Sequence, residues 1–168
     1  MTERSTMMEA KRPRTALAGP YGHPFHPILV TIPIGAWIAS LVFDIIGLVS
    51  EQPAAYTVGA QVLVAIGIVG ALLAAIWGFI DFTTLGKGTR ARRVGVIHMA
   101  INLVVVALFV VGFVIRMNSD HDSVSIVGLV LSVIGLLALG LSGWLGGKLA
   151  YTYGVRVADE ETQAAAFR

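Results

Sequence analysis

The 168-residue sequence has no cysteine. Disulfides, thiolate-held zinc, Cys-ligated iron–sulfur clusters and the Cys-x-x-Cys-His attachment of c-type haem are therefore excluded. Charge is scarce too: Asp, Glu, Lys and Arg together make up 13% of the chain, against about 25% in ordinary soluble domains. Nucleophile and phosphate motifs are also missing. The sequence holds no Gly-x-Ser-x-Gly, no His-Glu-x-x-His and no complete phosphate-binding glycine loop. The "GKGT" at 86–89 has only the second half of such a loop and reads as a basic turn. Any metal or cofactor would have to be held by His, carboxylate, Tyr or Met.

What is present is hydrophobic: 56% of residues, with a mean hydropathy of +0.80. Four apolar runs, about 28–49, 59–82, 94–115 and 125–145, are interrupted by ionisable groups only at Asp44, Asp81 and His98. Each can cross a ~30 Å hydrocarbon core at ~1.5 Å rise per residue. None has the polar face that a helix of a soluble bundle needs. The expected fold is an all-α, integral membrane four-helix bundle. Residues 1–20 form a basic tail, 21–157 the transmembrane domain and 158–168 a second tail. The polar start followed by a full span does not read as a cleaved signal peptide.

Basic residues cluster in the N-terminal tail (Arg4, Lys11, Arg12, Arg14), the central loop (Lys87, Arg90, Arg92, Arg93) and the C-terminal segment (Lys148, Arg156, Arg168). Four spans put all three regions on one side and leave only Arg116 near the other, so both termini are expected to be cytoplasmic. This asymmetry accounts for the isoelectric point near 9.2 without a nucleic-acid partner. Pro33 is expected to kink the first span by removing the hydrogen bond to the Leu29 carbonyl, with Thr31 satisfying freed backbone groups. Small residues at four-residue spacing (Gly35 and Ala39; Gly70, Ala74 and Gly78; Gly143 and Gly147) suit close helix packing. The second and fourth spans, "AIGIVGALLAAIWG" and "VIGLLALGLSGWLG", resemble each other, and the first and third each carry a His near their start. A duplicated helical hairpin is implied.

The threading gathers His23, His26, Asp81, His98, Trp144 and Tyr151 in one layer near the cytoplasmic face. His26 and His98 are candidate cofactor ligands, because neutral imidazoles from different helices are how bundles hold haem or metal. His23, His26, Asp81 and His98 are a candidate set for a divalent metal. Asn102 lies one turn beyond His98 on the same face. Asp81, near a helix C-terminus where the macrodipole disfavours negative charge, needs a partner from Arg90, Arg92, Arg93 or His98. Asp44 is expected to pair with Arg116, which can reach inward from the end of the third helix. His121, between Asp120 and Asp122, reads as a solvated loop residue.

The motifs "GHPFHPILVTIPIG", "GFIDF", "GTRARRVGVIHMAINL" and "SGWLGGKLAYTYGVRV", in that order, resemble a bacterial family of four-helix membrane proteins classed as a domain of unknown function. The resemblance covers roughly 20–157 and implies the bacterial plasma membrane as location. Relatives fused to Rieske or cytochrome c domains imply a link to membrane redox chemistry. The family's recurrent polar positions fall on His26, Asp44, Asp81, His98 and Asn102. The chain departs from the pattern at Thr31 and Tyr153, where many relatives carry His.

Three readings follow. One is an accessory or scaffold subunit of a membrane complex, in which His and Asp only knit helices. Another is an electron-transfer protein with haem b between His26 and His98 and Arg90, Arg92 and Arg93 beside the propionates. The third is a divalent-metal-binding protein. The bilayer is the certain partner. Other membrane or redox proteins, or further copies of the chain, are candidates, and transport is disfavoured because midplane depth holds few polar residues.

Overall fold

The structure is a computed structural model that describes residues 3–168, so the first two positions of the N-terminal tail lie outside it. Among the described residues, 76% are helical and no strand is present. Four helical segments, Phe25–Val49, Ala54–Phe82, Arg90–Met117 and Ile126–Thr152, are long and apolar enough to cross a membrane. Most of their hydrophobic side chains face outward, as expected when the solvent is lipid and only intrahelical hydrogen bonding can satisfy the backbone.

The first segment has two parts, α2 (Phe25–Leu29) and α3 (Thr31–Val49). They meet at Val30, one turn before Pro33, where the ring removes the donor that Leu29 would need. The Thr31 hydroxyl donates to the Ile28 carbonyl at 2.7 Å and steadies the break. Next come α4 (Ala54–Phe82), α5 (Arg90–Met117) and α6 (Ile126–Gly147), the last running into a wide turn over Lys148–Thr152. Thr89 caps α5 by accepting from the Arg92 amide, and Ser125 caps α6 by accepting from the Gly128 amide. Outside the spans lie α1 (Glu3–Lys11) and α7 (Glu160–Ala165). The α7 cap, Asp159, has its carboxyl held well below the usual carboxylate range, first by the Thr162 amide and then by the Tyr21 hydroxyl.

Helix α3 packs chiefly on α4, and α5 on α6. Several buried positions of the two hairpins correspond. Pro33, Trp37, Ser40 and Asp44 are the buried positions that correspond in α5 to Val105, Phe109, Gly112 and Arg116, a shift of 72 residues. In the second helices, Ala60, Val64, Gly67 and Ala74 correspond to Gly128, Ser132, Gly135 and Ser142. Equivalent residues also touch. Trp37 stacks on Phe109 with ring centroids 3.9 Å apart and planes 3° from parallel, and Asp44 pairs with Arg116. Such self-contact of equivalent positions marks an approximate twofold axis running along the bundle between parallel copies. This correspondence is what a duplicated hairpin would show.

The axis is apolar at mid-depth. Trp37, Val64, Val105 and Phe109 are each at most 1% exposed. Gly135 makes room for the Phe109 ring, since a methyl group there would lie 2.7 Å from its edge. Gly67 makes room for Trp37 in the same way. Not every small residue serves packing: Gly35 and Gly143 have nothing near the space a side chain would fill, so their four-residue spacing is incidental.

The Asp44–Arg116 pair forms as expected, with both side chains at most 5% exposed. Arg116 also donates to the Ser132 hydroxyl at 3.1 Å and the Gly112 carbonyl at 3.3 Å. Gly128 provides the cradle, because a methyl group there would lie 2.7 Å from Arg116 Nη1. Removing one partner strands the other charge in a dry interior, whereas removing both does not. We expect Asp44→Ala to lower stability by about 3–5 kcal/mol. Asp44→Ala combined with Arg116→Met should recover most of that loss. Thermal unfolding of the detergent-solubilised protein, followed by circular dichroism, measures both.

Candidate functional site

Two imidazoles stand at the end of the bundle that carries the basic residues. His26, in α2, directs Nδ1 to the Ala74 carbonyl of α4 at 2.8 Å. His98, in α5, directs Nδ1 to the Ser142 carbonyl of α6 at 2.9 Å, with the Ser142 hydroxyl at 3.0 Å. A carbonyl oxygen can only accept, so each Nδ1 carries the proton and each Nε2 keeps a lone pair. The two arrangements are copies: His26 and His98 are equivalent under the duplication, as are Ala74 and Ser142. Each ring lies over a glycine one turn past the carbonyl it binds. A methyl group at Gly78 would be 2.8 Å from His26 Cε1, and one at Gly146 would be 3.3 Å from His98 Cε1.

Asn102 completes the layer. Its side-chain amide donates to His98 Nε2 at 3.1 Å and to the His98 carbonyl at 3.0 Å. The His26 half has no such donor, since the position equivalent to Asn102 is Val30. His26 Nε2 is thus the freer lone pair of the two.

The other expected members of the layer are placed differently. His23 sits in an exposed turn, its backbone amide bonded to the Pro20 carbonyl at 2.9 Å. Asp81 does not meet Arg90, Arg92, Arg93 or His98. Its carboxylate lies 2.9 Å from Arg156 Nε, from the chain that returns across the bundle end after α6. The reason is geometric. Arg92 turns back onto its own loop, donating to the Leu85 carbonyl at 2.9 Å and covering the Phe82 ring, while Arg93 is exposed. Arg156 adopts a left-handed backbone conformation, φ 59°, next to Gly154 at φ 67°, which turns its side chain inward. The "YGVR" string carried that turn signal, and nothing in the spacing tied it to Asp81. Among the described residues, no three His, Asp or Glu side chains come together to hold a metal ion. The set His23, His26, Asp81 and His98 is therefore not assembled.

At the opposite end His121 is more than a solvated loop residue. Its ring lies 2.7 Å from Gln61 Oε1, and its carbonyl accepts from the Thr57 hydroxyl at 2.7 Å, tying the loop between α5 and α6 to α4.

The geometry separates the two glycines. Alanine in place of a mid-helix glycine gains about 1 kcal/mol of helix propensity. At Gly146 the neighbouring ring needs to yield only a few tenths of an ångström, so Gly146→Ala should be neutral within about 1 kcal/mol. At Gly78 the methyl group would displace His26 from the Ala74 carbonyl. Gly78→Ala should lower the unfolding temperature by several degrees, as for a loss of about 1–3 kcal/mol; an unchanged melt would show that the ring is not held there.

Comparison with known proteins adds one finding. Residues 22–159 match the model of a family described as a predicted membrane protein (DUF2231). No curated protein and no solved structure matches the chain.

Proposed function

The chain belongs to this family of membrane proteins, and we propose that it is a small b-type electron carrier in which His26 and His98 would hold the haem. The observation that carries the reading is the matched pair of imidazoles, each fixed through Nδ1 to a backbone carbonyl, with the Nε2 lone pair open in His26 and accepting from Asn102 in His98. Such Nδ1 bonds are how metal-binding histidines are oriented and made more basic. Two protein donors suit a haem, which brings four nitrogens of its own. They do not suit a bare divalent ion, because among the described residues no third His, Asp or Glu side chain joins them.

A haem held by these two imidazoles would supply one-electron exchange. The chain's own residues do the rest. The Ala74 and Ser142 carbonyls set the ring planes. Asn102 occupies the His98 lone pair and must turn aside for ligation. The apolar layer of Trp37 and Phe109 keeps water from entering along the axis. Of the arginines first considered for propionates, Arg90 and Arg93 remain uncommitted and Arg92 is engaged with its own loop. In this reading the basic end faces the bacterial cytoplasm, and the electron donor and acceptor are separate membrane or soluble proteins.

The competing reading is an accessory subunit of a membrane complex in which the same imidazole–carbonyl bonds only clamp the hairpins. An absorption spectrum of protein purified from haem-replete cells, oxidised and then dithionite-reduced, separates the two. The carrier shows a Soret band and sharp reduced bands that His26→Ala and His98→Ala each abolish, while Asn102→Leu keeps them. A colourless sample that loses thermal stability on His98→Ala overturns the carrier and leaves the clamp.

A further inference from the structure

The end of the bundle opposite the histidines holds a small polar cavity. It is lined by Asp44 and Arg116, by Thr57 of α4, and by Asp120, His121 and Ser123 of the loop between α5 and α6. The cavity therefore runs from the buried ion pair, whose two residues are 2% and 4% exposed, to the exposed loop positions Asp120 and Ser123. Its lining residues are all polar or charged, and its volume, about 10 Å³, is room for one water molecule. Toward the middle of the bundle the Trp37–Phe109 layer is apolar and closed.

The ion pair leaves one donor over. Asp44 meets Arg116 at Nη2, which also serves Ser132, while Nη1 serves the Gly112 carbonyl. Arg116 Nε is fully buried and, among the described residues, has no hydrogen-bond partner. Leaving a buried donor unfilled is costly, and a water is the usual remedy. A guanidinium is a planar fork whose Nε–H projects from the same edge as Nη2. The open donor therefore points to the side of Arg116 on which Asp44 lies, and both residues line the cavity.

The charges around the cavity select its occupant. The charged and titratable residues lining it are Asp44 from α3, Arg116 from α5, and Asp120 and His121 from the loop; α4 and the start of α6 contribute the hydroxyl residues Thr57 and Ser125. Two carboxylates disfavour an anion there, and the guanidinium disfavours a cation. A neutral water can accept from Nε–H and donate to a carboxylate or hydroxyl oxygen. We propose that this cavity binds one water molecule on Arg116 Nε, and that through it the Asp44–Arg116 pair exchanges protons with the aqueous phase at the His121 end. The exchange swaps the Nε proton for one from water and moves no net charge. One water fills a hydrogen bond without screening the pair, so the cost of stranding either partner stands. The site is independent of the haem reading, since it uses neither His26 nor His98.

The test is nuclear magnetic resonance of the isotope-labelled full chain in detergent micelles. The Arg116 Nε–H should show a through-space cross-peak to water. The Trp37 indole N–H, which donates to the Val64 carbonyl at 3.3 Å in the apolar layer, should show none and serves as the dry reference. Ser123→Leu puts an apolar side chain at the exposed edge of the cavity, a loop position where the fold should tolerate it. That variant should erase the cross-peak and slow exchange of the Nε proton into deuterated water by roughly tenfold or more, because exchange then waits for local opening. No water cross-peak at Arg116, or an equal one at Trp37, would overturn the proposal, as would unchanged exchange in folded Ser123→Leu. Should that variant fail to fold, the wild-type comparison of Arg116 with Trp37 decides alone.

Discussion

Trp37 lies flat on Phe109 where the two hairpins meet, and the remaining architecture is organised around that contact. Large rings can approach so closely only if the facing helices withdraw their side chains, which is why Gly67 and Gly135 sit opposite them. The rings bury well over 100 Å² each and fix the depth of everything else on the axis. Two turns toward one end the equivalent positions hold Asp44 and Arg116; three turns toward the other they hold His26 and His98. Each end therefore presents a matched pair of groups, and the stack separates them.

Duplication explains how so small a chain can place paired groups at all. A ligand or ion pair across a bundle axis requires two residues at the same height on different helices. A repeated hairpin supplies equal heights automatically. The hairpins differ by one turn of helix: the His–carbonyl bond spans 48 residues in the first and 44 in the second. A difference of four, close to the 3.6-residue period, leaves the inward faces aligned. The two hairpins carry complementary chemistry, an acid in one and a base in the other, with Gly112 and Gly128 cradling the guanidinium where the first hairpin has Ser40 and Ala60.

The number of spans, the break before Pro33, the Asp44–Arg116 pair and the repeat were legible in the sequence. Each rests on hydrophobic run length, on proline chemistry or on the scarcity of partners for a charge in lipid. Arg116 was the lone basic residue at its end, so elimination sufficed. Asp81 shows the limit of that reasoning. It had several arginines within reach, and the choice fell to Arg156 because a left-handed turn at Gly154–Arg156 sends that side chain back across the bundle end. The same fold-back buries Lys11, which sequence alone assigns to a solvated tail. His26 and His98 were legible as candidates, but their tautomers were not, because these depend on which carbonyls the neighbouring helices present.

Among the described residues, the buried charges within the spans are Asp44, Asp81 and Arg116, and each is neutralised by a partner a few ångströms away. A transmembrane voltage does work of about 2.3 kcal/mol per elementary charge per 100 mV, but only on charge that is displaced through the field. Tight pairs move as dipoles with no net charge. The bundle therefore gives the membrane potential almost nothing to pull on, and its packing should be the same in an energised membrane as in a depolarised one.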